Sequence, residues 1–352
     1  VTDLLSIDGR QGEGGGQVLR TSLSLSALTG QPFRIHHIRA NRSRPGLRPQ
    51  HLTAVRAAAA VCAATLRGDA VNSTTLEFRP QAPPQPGDYY FDVSDAAEGG
   101  SAGSVTLVFQ TLLWPLLFAG ARSRLTLRGG THVPMSPPWH YLRHVIRPAF
   151  AAFGAHFDTE LTAYGWYPAG GGEMTATIEP ATRLEALDLR HAPPEQVEGA
   201  AVASNLPADI PQRMAGRAQN LLAAAQLRSR VEPQRTTGRS AGAGTFLWTT
   251  GGGGSALGRR GLPSDRVAEA AVAELLAFVD NKAAVDRHLA DQLLLPLALA
   301  HGRASYTTDS LTLHTVTNAG LLQQWLGAAI EIVGEQDAAA EIHVTGTGFT
   351  AG

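Results

Sequence analysis

The densest chemical signal lies near the start of the chain, in Asp8-Gly9-Arg10-Gln11-Gly12-Glu13-Gly14-Gly15-Gly16-Gln17. It follows an expected short strand, Leu4–Ile7, and opens an expected apolar helix, Val18–Leu28. Glycines packed this closely let the backbone approach a ligand, and a helix N-terminus favours anions. Glu13 conflicts with that reading, because a carboxylate repels phosphate. A divalent cation between Glu13 and a phosphate would remove the conflict. Gln17 and Arg20 sit about one turn apart, so both can face the loop. A Gly-rich loop on its own fits a plain turn as well as a ligand cradle.

Arg34, Arg39, Arg42, Arg44 and Arg48 come next, mixed with His36 and His37, and no Asp or Glu occurs between residues 14 and 68. Arginines without nearby carboxylates suit bidentate phosphate recognition, and a solvated loop would read the same way. Gln50-His51 then begins a further helix. In Ser310-Leu311-Thr312-Leu313-His314-Thr315-Val316-Thr317-Asn318 the alternation predicts a strand, Leu311–Val316. His314 would then face away from Leu311 and Leu313, as a free imidazole or as an ordinary strand histidine. His288-Leu289-Ala290-Asp291-Gln292 opens an apolar helix upstream, as the glycine loop does at the start.

Composition removes several other chemistries. Lys282 is the only lysine, so P-loop, Schiff-base and lysine-adenylate mechanisms have no placed amine. Ser6-Ile7-Asp8-Gly9-Arg10 looks like the motif of lysine-dependent ligases, but Ser6 holds the lysine position. Cys62 is the only cysteine, which excludes an intramolecular disulfide and a cysteine zinc site. The net charge of −1 gives no global field for holding long nucleic acids. Val105–Ala119 is apolar but contains Gln110 and Pro115 and is too short to span a membrane. Val1–Gly9 does not read as a signal peptide, so the expected location is the cytoplasm.

These residues need elements to hold them, and the elements recur. Helix, Gly, strand, loop, helix, strand runs through Val18–Leu28, Gly30, Phe33–Ile38, Pro49–Leu66 and Thr75–Phe78. It returns at Val105–Phe118, Gly120, Arg124–Arg128, Trp139–Phe153 and Thr175–Ile178. A third run takes in Leu289–Ala300, Gly302, Leu311–Val316, Ala319–Val333 and Glu341–Val344. Gly30 to Gly120 spans 90 residues, whereas Gly120 to Gly302 spans 182. About one repeat length is therefore inserted, at roughly 183–275, with expected strands Leu184–Leu189 and Thr245–Thr250 and helices Pro211–Leu227 and Asp265–Asp280. The Gly runs 169–172 and 251–254 read as flexible turns. The expected class is α+β, with a main body at 1–182 and 276–352 and an inserted small α/β domain at 183–275.

Glu13-Gly14-Gly15-Gly16-Gln17-x-x-Arg20, Arg39-Ala40-Asn41-Arg42, Pro45-Gly46-Leu47-x-x-Gln50-His51, His288-Leu289-Ala290-Asp291-Gln292 and His314-Thr315-x-Thr317-Asn318 together resemble the RNA 3′-terminal phosphate cyclase family. The match runs in order through the whole repeated body, while the insert contributes only Leu257-Gly258-x-x-Gly261. The resemblance implies three βαβαββ-like repeats plus the inserted domain. It implies an ATP-dependent ligase-class enzyme in which His314 takes AMP, passes it to an RNA 3′-phosphate and allows closure to a 2′,3′-cyclic phosphate. By the same resemblance Glu13 would hold Mg²⁺ or Mn²⁺, and Arg20, Arg39, Arg42, Gln50 and His51 would hold phosphates of ATP and the RNA end. Gln17, Gln110, Pro137, Leu257 and His288, Leu289, Ala290, Asp291 and Gln292 would shape the nucleotide pocket. RNA 3′-phosphate ends are the implied partner, with no membrane and no obligate protein partner. A non-catalytic relative acting in ribosome assembly would lack the His314 motif. An enolpyruvyl transferase built from similar repeats would call on more lysine than Lys282.

Overall fold

Period-two apolar runs become strands, and longer Ala- and Leu-rich runs become helices, in the computed structural model, which describes residues 3–96 and 101–351. The first part contains β1 (Leu5–Asp8), α1 (Gly16–Thr29), β2 (Phe33–His36), α2 (Pro49–Cys62), β3 (Thr65–Arg67) and β4 (Leu76–Arg79). Its sheet has the order β1-β2-β4-β3, with β1 and β2 parallel and the other pairs antiparallel. The second contains β5 (Asp88–Asp92), α3 (Val105–Leu117), β6 (Ser123–Gly129), α4 (Trp139–Tyr141), α5 (Arg147–Ala151), β7 (Phe157–Ala163) and β8 (Gly172–Ile178). Its order is β5-β6-β8-β7, again with the first pair parallel.

A separate four-stranded sheet follows. It is built from β9 (Val197–Ser204), β10 (Ser229–Thr236), β11 (Gly242–Thr249) and β12 (Gly252–Leu257), in the order β10-β9-β11-β12, with helices α6 (Asp209–Ala224) and α7 (Ser264–Asn281). The chain then returns through α8 (Arg287–Leu299), β13 (Arg303–Thr308), α9 (Leu313–Leu326), β14 (Ala329–Val333) and β15 (Ala340–Thr345). The last sheet is antiparallel, in the order β13-β15-β14. The class is mixed α+β. One apolar core joins the first, second and last parts through residues such as Leu19, Val55, Phe109, Leu293 and Leu322. A second core, with Met214, Ala218, Leu247 and Leu275, lies beneath α6 and α7.

Six expectations are corrected. Residues 311–316 do not form a strand, because Thr312 caps a helix there, its hydroxyl accepting from the Thr315 N–H at 3.2 Å. The Leu-Thr-Leu-His-Thr-Val alternation imitated a strand, while β13 had already filled that place at 303–308. The helix expected at 319–333 therefore starts at Leu313 and ends at Leu326, before β14. Residues 184–189 belong with the body, not with the inserted sheet. Ala186 N–H donates to His301 O at 2.8 Å, Leu189 N–H to Ser305 O at 2.9 Å, and Leu184 lies in the large core.

Gly252, Gly253 and Gly254 form β12 instead of a turn. A Cβ on Gly254 would stand 2.1 Å from Ala271 O, so glycine is what lets α7 lie against this strand. The helix expected at 49–66 ends at Cys62, where Ala63 turns left-handed with φ of 50°. The helix expected at 139–153 is interrupted by a π turn at Leu142–Ile146, next to Pro148, whose missing N–H breaks the regular ladder.

Candidate active site

Three helix starts converge on His314. Gly15 precedes α1, Asp286 caps α8 and Thr312 caps α9. The Glu13 N–H donates to Thr317 Oγ1 at 3.0 Å, which ties the glycine loop to the first turns of α9. That loop needs glycine at position 12, where φ is +55° and a Cβ would meet Thr317 Oγ1 at 2.0 Å. Helix N-termini present free N–H groups and a partial positive charge, so their meeting favours an anionic ligand.

The side chains then define a directed network. Gln17 Nε2 donates to Asp291 Oδ2 at 2.9 Å, which fixes the amide so that Oε1 faces His314 Nδ1 at 2.8 Å. An amide oxygen only accepts, so His314 Nδ1 carries the proton. Glu13 Oε2 lies 3.3 Å from the same nitrogen. Nε2 is left with its lone pair free. Burial, then Arg20, Arg42 and His288, lower the His314 pKa to about 4, so the ring is neutral near pH 7. Asn318 completes the support, accepting from Thr21 at 3.0 Å and donating to Asp291 O at 3.1 Å. Burial pushes the Asp291 carboxyl up to about 6, against the hydrogen bonds from Gln292 and Gln17.

Beside this network lies a cleft of about 410 Å3, walled by Arg20, Pro137, Tyr141, His288, Gln292 and His314. Met135, 82% exposed, stands at its edge. The positive groups crowd together. Burial lowers Arg20 to about 10, and burial together with Arg20, Arg39 and Arg48 holds His51 well below its ordinary range. Gly16 lies directly beneath them, since a Cβ there would meet His51 Nε2 at 2.5 Å. Cations held this close without a matching set of carboxylates fit a site whose charge is balanced by bound phosphate.

The sequence candidates divide into groups. Glu13, Gln17, Arg20, Asp291 and His314 form one cluster, and His288, Gln292 and Pro137 line the cleft beside it. Gln110 lies in a small adjoining cavity with Gln17, Arg20 and Asp291. Leu289 and Ala290 are buried in the core and position the helix instead of lining the cleft. Leu257 is not among the cleft residues and packs beside Trp166 and Phe246. Gln50 Oε1 accepts from the Ser104 N–H at 2.9 Å and so holds the start of α3.

The arginines are less free than their surroundings in sequence imply. Arg34 pairs with Glu77 at 2.6 Å across the sheet, Arg42 pairs with Glu13, and Arg39 donates to Arg44 O and Gly46 O at 2.7 and 3.1 Å. Thr312, Ser255, Glu274, Tyr141 and Asp286 also belong to the site or its support. Of these, Thr312 and Asp286 carried a readable signal as helix N-caps. The other three come from distant segments and carried none.

Glu13 lies beside His314 and Arg42, where a carboxylate could hold a cation on a bound phosphate. Its buried carboxylate pairs with the Arg42 guanidinium and lies beside His314. Among the described residues no three His, Cys, Asp or Glu side chains gather as a complete ligand set. One carboxylate fits a Mg²⁺ that draws its remaining ligands from phosphates and water. No helix among the described residues is long and apolar enough to cross a membrane.

Comparison with known proteins points the same way as the geometry. The family profile described as RNA 3′-terminal phosphate cyclase matches residues 11–332. The RNA 3′-terminal phosphate cyclase of Gloeothece citriformis is 48% identical over 334 residues, 94% of this chain and 95% of that protein. That of Trichormus variabilis is 50% identical, covering 92% and 94% of the two chains, and that of Archaeoglobus fulgidus 39%, covering 95% and 99%. Among solved structures, the enolpyruvyl transferase NikO from Streptomyces tendae has a TM-score of 0.38 at 14% identity, covering 97% of this chain and 48% of that one. That likeness carries no argument. The helix starts, the oriented histidine and the crowded cations thus sit in a chain that is similar along nearly its whole length to one group of enzymes, and this chain belongs to the RNA 3′-terminal phosphate cyclase family.

Proposed function

We propose that this protein uses ATP to convert an RNA 3′-terminal phosphate into a 2′,3′-cyclic phosphate, with His314 carrying AMP between the two substrates. The observation that carries the reading is the Gln17–His314 hydrogen bond at 2.8 Å, because it leaves Nε2 unprotonated and free to attack. Nε2 bonds to the α-phosphorus of ATP, and the bond to pyrophosphate breaks. An oxygen of the RNA 3′-phosphate then displaces His314 from that phosphorus and forms an anhydride. The adjacent 2′-OH attacks the RNA phosphorus, loses its proton and expels AMP.

Each residue has a place in this scheme. Arg20, Arg39, Arg42 and His51 hold phosphate oxygens, and the N-termini of α1 and α9 add their dipoles. Gln17 and Asp291 keep the imidazole in one tautomer and one orientation. Gln50, through Ser104, keeps α3 in place beside the phosphates. Pro137, His288, Asp291 and Gln292 accommodate the nucleotide, Leu289 and Ala290 hold their helix in the core, and Gln110 and Leu257 are more distant supports. Glu13 would hold Mg²⁺ or Mn²⁺, a Lewis acid on the triphosphate, with Arg42 moving from the carboxylate to a phosphate. The 2′-OH requirement selects RNA over DNA for ring closure.

The reading also organises the chain. The matching orders of the first two sheets support three repeated units at 1–182 and 276–352, with residues near 183–275 as an inserted domain and 184–189 assigned to the third unit. RNA 3′-phosphate ends are the partner, in the cytoplasm, with no obligate protein partner. The test incubates wild type and His314→Ala with ATP labelled at the α-phosphate. Acid-labile label on wild type alone supports the scheme. Label on both proteins moves the nucleophile elsewhere, and label on neither overturns the enzyme reading.

A further inference from the structure

The inserted domain reaches the cleft through Glu274 and, by way of the Gly253 N–H, through Asp286 of the body, two carboxylates that the scheme above does not use. Glu274, on α7, accepts from the Ser255 N–H of β12 at 2.6 Å and pairs with His288 Nε2 at 2.9 Å. Asp286, buried at the start of α8, is held at both oxygens. Oδ1 accepts from the His288 and Leu289 N–H groups at 3.0 and 2.7 Å and from Tyr141 Oη at 2.6 Å. Oδ2 accepts from the Gly253 N–H of β12 at 2.9 Å. His288 is therefore fixed at its backbone by Asp286 and at its ring by Glu274, and both ties run to the inserted domain.

We propose that Glu274 is a positioning residue for nucleotide binding: the inserted domain completes the ATP site by holding His288 as a cationic donor that presents Nδ1–H to a phosphate of the bound nucleotide. The inference rests on the adenylyl-transfer reading and assigns the inserted domain a role within it. The geometry supports it directly. With Nε2 engaged by Glu274, the other ring nitrogen is the one left for a ligand, and His288 walls the same cleft as His314. Its charge is felt at His314, where it helps keep that ring neutral.

The charged and titratable surroundings favour the cation. Burial opposes charge on His288, but the Glu274 hydrogen bond, then Asp286, Glu274 and Asp291, raise its pKa to about 9. The Tyr141 ring faces its edge, with centroids 6.3 Å apart. Arg287 beside it is engaged by Asp309, and Arg20 and His314 face it across the cleft. A neutral residue at 274 removes the partner that holds the proton without removing the imidazole.

The experiment uses the full chain, as wild type, Glu274→Gln, His288→Gln and the double variant. Formation of His314-bound AMP is measured against ATP concentration and pH, and histidine titrations are followed by NMR without nucleotide. Expected for Glu274→Gln is a KM for ATP raised about tenfold at pH 8, with the maximal rate within about twofold. The His288 titration should fall from about 9 to near or below the ordinary histidine value. The double variant should be no worse than His288→Gln, because Glu274 acts through that ring.

The proposal is overturned if His288 titrates at the same pH in wild type and Glu274→Gln. It is equally overturned if the Glu274→Gln loss is independent of pH and adds to that of His288→Gln, which marks a docking role alone. In both cases label on wild type leaves the adenylyl-transfer reading standing. A wild type that takes no His314-dependent label overturns that reading and this inference with it.

Discussion

Two contacts between the β9–β12 lobe and the rest of the chain are built around histidine. At one, His132 and His140 are buried between the body and the inserted sheet, with ring nitrogens 2.9 Å apart. His140 stacks on Phe246 at 4.7 Å and His144 on Trp248 at 4.0 Å. Among the described residues no carboxylate hydrogen-bonds these rings, and burial lowers His140 to about 3 and His144 to about 4. At the other, His288 meets Glu274 and Asp286 and holds its proton up to about 9. Burial opposes charge in both places, so the deciding difference is a carboxylate within hydrogen-bond reach. One contact is a neutral packing surface. The other places charge beside the His314 ring.

The largest expected effect lies at His314, the ring beside the charged contact. His314→Ala should reduce protein-bound AMP by on the order of 10³-fold or more, with unfolding unchanged within about 1 kcal/mol. The neutral contact should respond to acid instead. A buried histidine with a lowered pKa contributes stability that is full above about pH 6.5 and is lost as pH falls toward its folded value. For His140 that window runs from about 6.5 down to about 3, and the loss by pH 4 is on the order of 3 kcal/mol. Paired replacement of His132 and His140 by Leu and Phe should flatten that part of the stability–pH curve in denaturant titrations. The opposite sign holds for His288, whose contribution is full below about pH 6.5 and fades as pH rises through about 9.

Smaller perturbations separate the two contacts further. Gly254→Ala forces β12 away from α7 and should cost about 2 kcal/mol by denaturant unfolding, while raising the KM for ATP through Glu274. Trp166→Phe loses the indole hydrogen bond to Ser204 at 2.8 Å on the neutral side and should cost about 1 kcal/mol. Its KM for ATP should stay at the wild-type value. A shift in KM there, equal to that of Gly254→Ala, would erase the distinction between the two contacts.

Much of this was legible from residue order. Periodicity located α1, α3, α6, α7 and α8 to within a few residues, because long apolar runs with helical spacing leave few alternatives. The glycine loop, Arg20 and the His314 motif marked segments that the fold brings together. Legibility failed where local pattern and tertiary context disagreed. Thr312 to Val316 alternates like a strand, yet an N-cap hydroxyl starts a helix there. Gly252 to Gly254 reads as a turn, yet a close helix requires glycine within a strand. Arg34 and Arg42 have no nearby acid in sequence, yet Glu77 is supplied by the neighbouring strand and Glu13 by the preceding loop.

The sequence alone determined which reactions are open to this chain. A single lysine and a single cysteine close several routes, and the motifs around Glu13, Arg20 and His314 supply the groups for another. These are questions of which functional groups exist, and composition answers them. Tertiary structure decided which nitrogen of His314 is free, which histidines are charged and which carboxylates hold them. Those properties depend on hydrogen bonds and charge contacts between groups as far apart as residues 17 and 314, 13 and 314, or 141 and 286. Proton affinity follows distance and burial, and neither is fixed until the chain has folded.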